Sequence, residues 1–130
     1  MEPRFLLDTN ICIYIRQQRS PELLRHFEKL RPGEAALSVI TFGELWYGAE
    51  KSAQRAAALE RLRELAQLLP VLPLPEATAD AYGKTRAELE SKGLMIGNND
   101  LWIAALAVQH DLVLFSRDRH FDHLPQLARI

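Results

Sequence analysis

This chain has one cysteine, almost no net charge and no long apolar run, and each shortage removes a class of protein. A lone Cys12 builds neither an intrachain disulfide framework nor a cysteine-ligated zinc site. Set inside an apolar stretch, it is expected in the core. The 16 basic and 17 acidic residues leave a formal charge of −1. No global positive field therefore recruits nucleic acid, although a grip on a few phosphates remains open. No segment approaches the roughly 18 apolar residues of a membrane span. The first apolar segment is cut by Asp8 and Asn10, with Arg4 the sole basic residue before it, which is not the build of a secretory leader. The expectation is a cytoplasmic protein with no membrane partner. Repeats, low-complexity tracts and linkers are also missing, so residues 1–130 read as one domain, long enough to bury a core.

What is present is an ordinary globular balance, 48% hydrophobic and 25% charged. "RFLLD" reads as a buried strand ending at Asp8, and "NICIYIRQ" as the helix after it. "SPELLRHFEKL" offers Ser20 as N-cap and Pro21 at the first helical position, running to an "RPGE" turn. "AALSVI" reads as a second strand and "TFGELWYGAEK" as a helix opening at Thr41. "SAQRAAALERLRELAQLL" carries Leu59, Leu62, Ala66 and Leu69 along one stripe. "PVLPL" is a short third strand. "PEATADAYGKTRAELESKG" is a helix closed by Gly93, "NNDLWIAALAVQH" an Ala-rich helix, and "DLVLFS" a fourth strand. Continuously apolar strands alternating with helices imply an α/β fold, a parallel sheet of four to five strands covered on both faces. Ligands of such sheets bind at the carboxyl ends of the strands.

Four acids fall at or near that edge. Asp8 ends the first strand, Glu44 follows the second, Asp118 lies two residues beyond the fourth, and Asp100 opens the helix after "LMI". Each has a plain structural reading. "TFGE" is a capping box in which Glu44 bonds back to Thr41, and Asp100 and Asp118 suit a helix start and a turn. Asp8, inside an apolar run, is harder to explain that way. Together the carboxylates repel unless a cation sits between them. A hard divalent ion, Mg2+ or Mn2+, takes oxygen ligands. With helix N-termini to hold phosphate oxygens, such an ion suits phosphodiester hydrolysis.

"LLDTNICIYI", "SVITFGELWYGAEK", "GNNDLWIAALA" and "LFSRDRHF", in that order from Arg4 to Phe121, resemble the PIN-domain ribonucleases. They are most similar to the toxins of VapBC-type toxin–antitoxin systems. The resemblance implies a single PIN-like domain and a Mg2+- or Mn2+-dependent endoribonuclease. It implies a catalytic quartet of Asp8, Glu44, Asp100 and Asp118, with Asp8 and Asp100 as metal ligands. Asn10 and Ser116 match polar positions that orient the acids. It also implies RNA as substrate and a small antitoxin as partner.

Other features fit around that site. Arg86, Arg117 and Arg119 are candidates for RNA phosphate contact, whereas Arg61 and Arg63 belong to a solvated helix face. Trp102 is expected in the core. Trp46 and Tyr47 are adjacent and cannot both face inward on one helix. The Leu45–Trp46–Tyr47 stretch is therefore a candidate groove for a partner peptide or for a two-fold homodimer. Three competing readings stand beside the metal nuclease. His120 and His123 are close enough in sequence for metal-free acid–base chemistry, while His26 and His110 have no evident partner. An acid-cluster phosphatase would also start with Asp8, but it wants a second acid where Asn10 stands. A catalytically degenerate PIN-like binding module would have no need of all four acids.

Overall fold

The structure is a computed structural model and describes residues 2–17, 21–124 and 127–130, with 14–17 and 23 described by backbone alone. Its elements are β1 (Phe5–Leu7), α1 (Thr9–Gln17), α2 (Pro21–Glu28), β2 (Ala35–Ser38), α3 (Val39–Glu50), α4 (Arg55–Leu68), β3 (Val71–Leu72), α5 (Glu76–Ser91), α6 (Asn98–Gln109), β4 (Val113–Phe115) and a 3-10 turn over Arg119–His123. The expected Ser20 cap lies outside the described residues.

The four strands form one parallel sheet in the order β3-β2-β1-β4. Leu7 pairs with Leu37 on one side and Phe115 on the other, so β1 is interior and its carboxyl end is flanked by two others. The tail adds a single parallel bridge, Leu114 to Arg129, along the outer side of β4. Alternation along the strands sends side chains to two cores. Leu6, Ala36 and Leu114 pack with Ile103, Leu106, Leu89 and Phe121. Leu7, Leu37 and Phe115 pack with Ile11, Leu45, Leu59 and Leu62. Of the expected stripe, Leu59 and Leu62 on α4 and Leu69 at its C-cap are buried, and Ala66 is half-buried.

Two expectations need correction. The second strand ends at Ser38, two residues early, because its neighbours run out: β1 stops opposite Leu37 and β3 opposite Ser38. Ser38 then caps α3, its hydroxyl accepting a 2.9 Å bond from the Thr41 amide, which satisfies a donor the helix leaves open. Thr41 is therefore buried inside the helix rather than its cap, and the capping box with Glu44 does not form. Cys12, expected in the core, packs against the second core, and Trp102 departs further from the same expectation. Both are half-buried; Trp102 stacks on Tyr82 with centroids 3.9 Å apart. At the end of α5 the expectation holds, with Gly93 at φ +69 just past the last turn.

Candidate active site

The carboxyl edge of β1 and β4 organises the site. The Asp8 amide donates to the Phe115 carbonyl at 3.2 Å, which carries the pairing one residue past the strand. That register sets Asp8 beside Ser116. Asp8 is only 5% exposed, and its carboxylate is satisfied on both oxygens. Oδ1 accepts from the Ile11 amide at 2.8 Å, and Oδ2 accepts a short bond from the Ser116 hydroxyl. Ser116 Oγ in turn accepts from the Asp118 amide at 3.0 Å. One buried hydroxyl thus spaces two of the four acids.

The other two arrive on helices. Glu44 is exposed on α3, and Thr9 Oγ1, at the start of α1, donates to its Oε1 at 2.7 Å. Asp100 stands half-buried in the first turn of α6. Electrostatics link all four. Burial pushes the Asp8 carboxyl above its usual 3.8; the bonds from Ser116 and Ile11 oppose this, and the charges of Asp118 and Glu44 add to it. Asp100 is also raised, first by burial, then by Asp118, Asp8 and Glu44, with His120 offsetting them.

His120 was not singled out by sequence reasoning as part of this cluster. Its amide donates to Asp118 Oδ1 at 2.9 Å, and its Nδ1 lies 3.1 Å from the same oxygen. The sequence signal was its place two residues beyond Asp118, in the turn that Asp118 caps. Thr9 was also missed, though a hydroxyl next to Asp8 was its only mark. Arg129, which donates to the Asp118 carbonyl at 2.9 Å, carried no signal at all. His123 is exposed, and so is His26, whose ring meets Phe115 edge-on. His110 is the exposed C-cap of α6.

The remaining candidates divide. Asn10 is exposed in the first turn of α1, and the groups that hold Asp8 are Ile11 and Ser116. Arg117 and Arg119 are exposed on either side of Asp118, Arg117 lying 3.6 Å from Glu22. Arg86 pairs with Glu90 and donates to Tyr82 Oη, which bonds Asn98 two residues before Asp100. Arg61 and Arg63 are exposed, as expected. Trp46 is half-buried, its Nε1 donating to Glu50, while Tyr47 is 65% exposed. An apolar groove of about 340 Å³ is lined by Leu7, Cys12, Phe27, Leu45, Leu62 and Leu65 among others. Of the Leu45–Trp46–Tyr47 stretch, only Leu45 lines it.

The donor set suits a hard divalent cation. Burial and neighbouring carboxylates raise the proton affinity of Asp8 and Asp100, a conflict that a cation relieves, and Asp100, Asp118 and His120 each offer an atom within 4.8 Å of the others. Ligands of parallel sheets bind at this carboxyl edge, and a cation held there is able to assist phosphodiester hydrolysis.

Comparison with known proteins agrees. Residues 5–127 match the PIN domain, and the chain belongs to the PIN-domain family. It is 36% identical over 122 residues to ribonuclease VapC2 of Haemophilus influenzae, covering 93% of this chain and 92% of that one. It is 36% identical over 123 residues to the tRNA(fMet)-specific endonuclease VapC of Salmonella typhimurium, covering 94% and 92%. The crystal structure of DNA-bound VapBC from Salmonella typhimurium superposes with a TM-score of 0.90 at 33% identity, covering all of this chain and 98% of that one. Within its family the chain stands with the VapC nucleases. No helix among the described residues is long and apolar enough to cross a membrane.

Proposed function

We propose that the chain is the endoribonuclease of a toxin–antitoxin pair and cleaves cytoplasmic RNA with a Mg2+ or Mn2+ ion held by Asp8 and Asp100. Glu44 and Asp118 complete the quartet. The single observation that carries this reading is the gathering of carboxylates at one edge, where burial first and neighbouring acids second raise Asp8 and Asp100, a conflict that a cation relieves.

When bound, the ion lowers the pKa of water and stabilises charge developing on the phosphate. The chain's own groups do the positioning. Ser116 and the Ile11 amide fix both oxygens of Asp8. Thr9 occupies Glu44 Oε1, leaving Oε2 free of it to accept a proton from the attacking water. Arg117 and Arg119 flank Asp118 and reach phosphates of a bound strand; Arg86, tied to α6 through Tyr82, approaches from the Asp100 side.

The antitoxin lies in the apolar groove. Leu7 immediately precedes Asp8 and Leu45 immediately follows Glu44, so an apolar segment seated there runs next to the acids. A basic side chain on that segment would pair with the carboxylates and block RNA. A two-fold homodimer is the expected assembly of the toxin itself.

Asp8→Asn tests the assignment. Cleavage of total RNA should require Mg2+ or Mn2+, stop with EDTA, and fall by at least ~100-fold in the variant, a loss typical of removing one key charge. Full activity in a variant with native circular dichroism removes Asp8 from the site.

A further inference from the structure

The histidine next to the quartet has no place in the nuclease reading above. His120 sits in the 3-10 turn capped by Asp118, with its side chain 63% exposed toward the acidic edge. Its Nδ1 is 3.1 Å from Asp118 Oδ1. A ring nitrogen of His120 and carboxylate oxygens of Asp100 and Asp118 all lie within 4.8 Å of one another. Ligands about 2.0–2.2 Å from a common ion are separated by about 3–4.4 Å, so the three converge with little adjustment. The Asp118 side chain is also engaged in a way that suits this role. Its Oδ1 already accepts the His120 amide, which pins the imidazole's own backbone to the carboxylate that faces it. A metal-binding histidine commonly gives its second ring N–H to a carboxylate, and that bond fixes its tautomer and direction.

We propose that His120 is a direct ligand of the divalent ion through a ring nitrogen, and that Asp118, which accepts the His120 amide, orients it. The inference rests on the metal-nuclease reading of the same edge. Its consequence is metal selectivity. An all-carboxylate site suits Mg2+, whereas imidazole adds a softer nitrogen donor that favours Mn2+ and later transition ions. This chain is therefore tuned toward Mn2+, and His120 is the residue that tunes it. Asp118 becomes a positioning residue for the ligand as well as a member of the acidic cluster.

The test reads the coordination shell directly. Mn2+ is titrated into metal-free protein and followed by the loss of the free-ion electron paramagnetic resonance signal; the bound ion is then examined for nitrogen hyperfine coupling by electron spin-echo modulation. The expected result is a nitrogen coupling in the parent and in His123→Ala, absent from His120→Ala. Mn2+ affinity should fall by about tenfold or more in His120→Ala, with Mg2+ affinity by competition changing far less. His120 is exposed, so the variant keeps its fold, and an unchanged melting temperature verifies it. Bound Mn2+ without nitrogen coupling, or coupling that survives His120→Ala, overturns the inference while the nuclease reading stands. Failure of the parent to bind Mn2+ or Mg2+ overturns both.

Discussion

Removing the Ser116 hydroxyl probes the centre of the site with the smallest possible change. Ser116 is 2% exposed and serves two neighbours: it donates to Asp8 Oδ2 and accepts from the Asp118 amide. A bond to a charged group contributes about 1.5–3 kcal/mol and a neutral one about 0.5–1.5 kcal/mol. Ser116→Ala should then lower metal-free stability at neutral pH by about 2–4 kcal/mol, or ~10 °C in Tm for a chain of this length. The pH dependence is the sharper readout. The Ser116 bond favours the ionised form of Asp8, so it pulls the carboxyl down while burial holds it above 3.8. Without the bond the folded-state value rises further. Below both folded-state values Asp8 is protonated with or without Ser116, and the cost of the variant is at its smallest. As pH climbs through the raised values, the parent ionises more readily, and the cost grows until Asp8 is ionised in both proteins. Urea unfolding in EDTA at pH 4 and pH 7.5 measures the difference. An equal cost at the two pH values would refute the reasoning, because it would mean that Ser116 does not support the charge on Asp8.

Further expectations follow from the same geometry. Asp100, raised by burial and by three other acids, destabilises the metal-free fold once pH rises from 3.8 through its folded-state value. Asp100→Asn should therefore raise the metal-free Tm at neutral pH, lose that gain in acid, and lose most of the stabilisation that Mg2+ or Mn2+ confers; calorimetry with and without metal checks this, and a Tm indifferent to both speaks for isolated acids. Ser38→Ala removes the cap of α3 and should cost about 1 kcal/mol in urea unfolding with little loss of cleavage, since Thr9 still holds Glu44. Leu68 is 61% exposed at the rim of the apolar groove. Leu68→Glu should leave the Tm unchanged yet weaken capture of the partner protein by tenfold or more, a factor that corresponds to about 1.4 kcal/mol; undiminished inhibition by the partner would place the docking surface elsewhere.

Much of this was legible in the residues, and the misses have a common cause. Alternating strands and helices foretold a parallel sheet, and Asp8 stood out because a carboxylate in an apolar run needs a reason. Val39 and Ile40 read as strand because both are β-branched. What stopped the strand was the length of its neighbours, which local propensity does not contain. The same holds for the supporting residues. Ser116 was anticipated by resemblance, whereas Thr9 acquires its place only when segments 35 residues apart meet, and His120 and Arg129 take theirs from the turn and tail around Asp118. Trp102 looked like core because of its company, but the seam between α5 and α6 leaves it half-covered against Tyr82. Leu45, Trp46 and Tyr47 were read as one surface, and the turn of the helix separates them. Only the first reaches the groove.

The bond between Ser116 and Asp8 joins residues 108 positions apart, and that separation has a consequence in time. A growing chain displays Asp8, Glu44 and eventually Asp100 before it has the strand that seats Asp8 against its neighbour. Parallel pairing over such a span forms late, because the loop must close before the contact rewards it. Synthesis proceeds from the N-terminus at about 5–20 residues per second, so a nascent polypeptide carries Asp8 for seconds before Ser116 exists to hold it. Potency would then arrive abruptly, with the last strand, rather than accumulating as the protein is made.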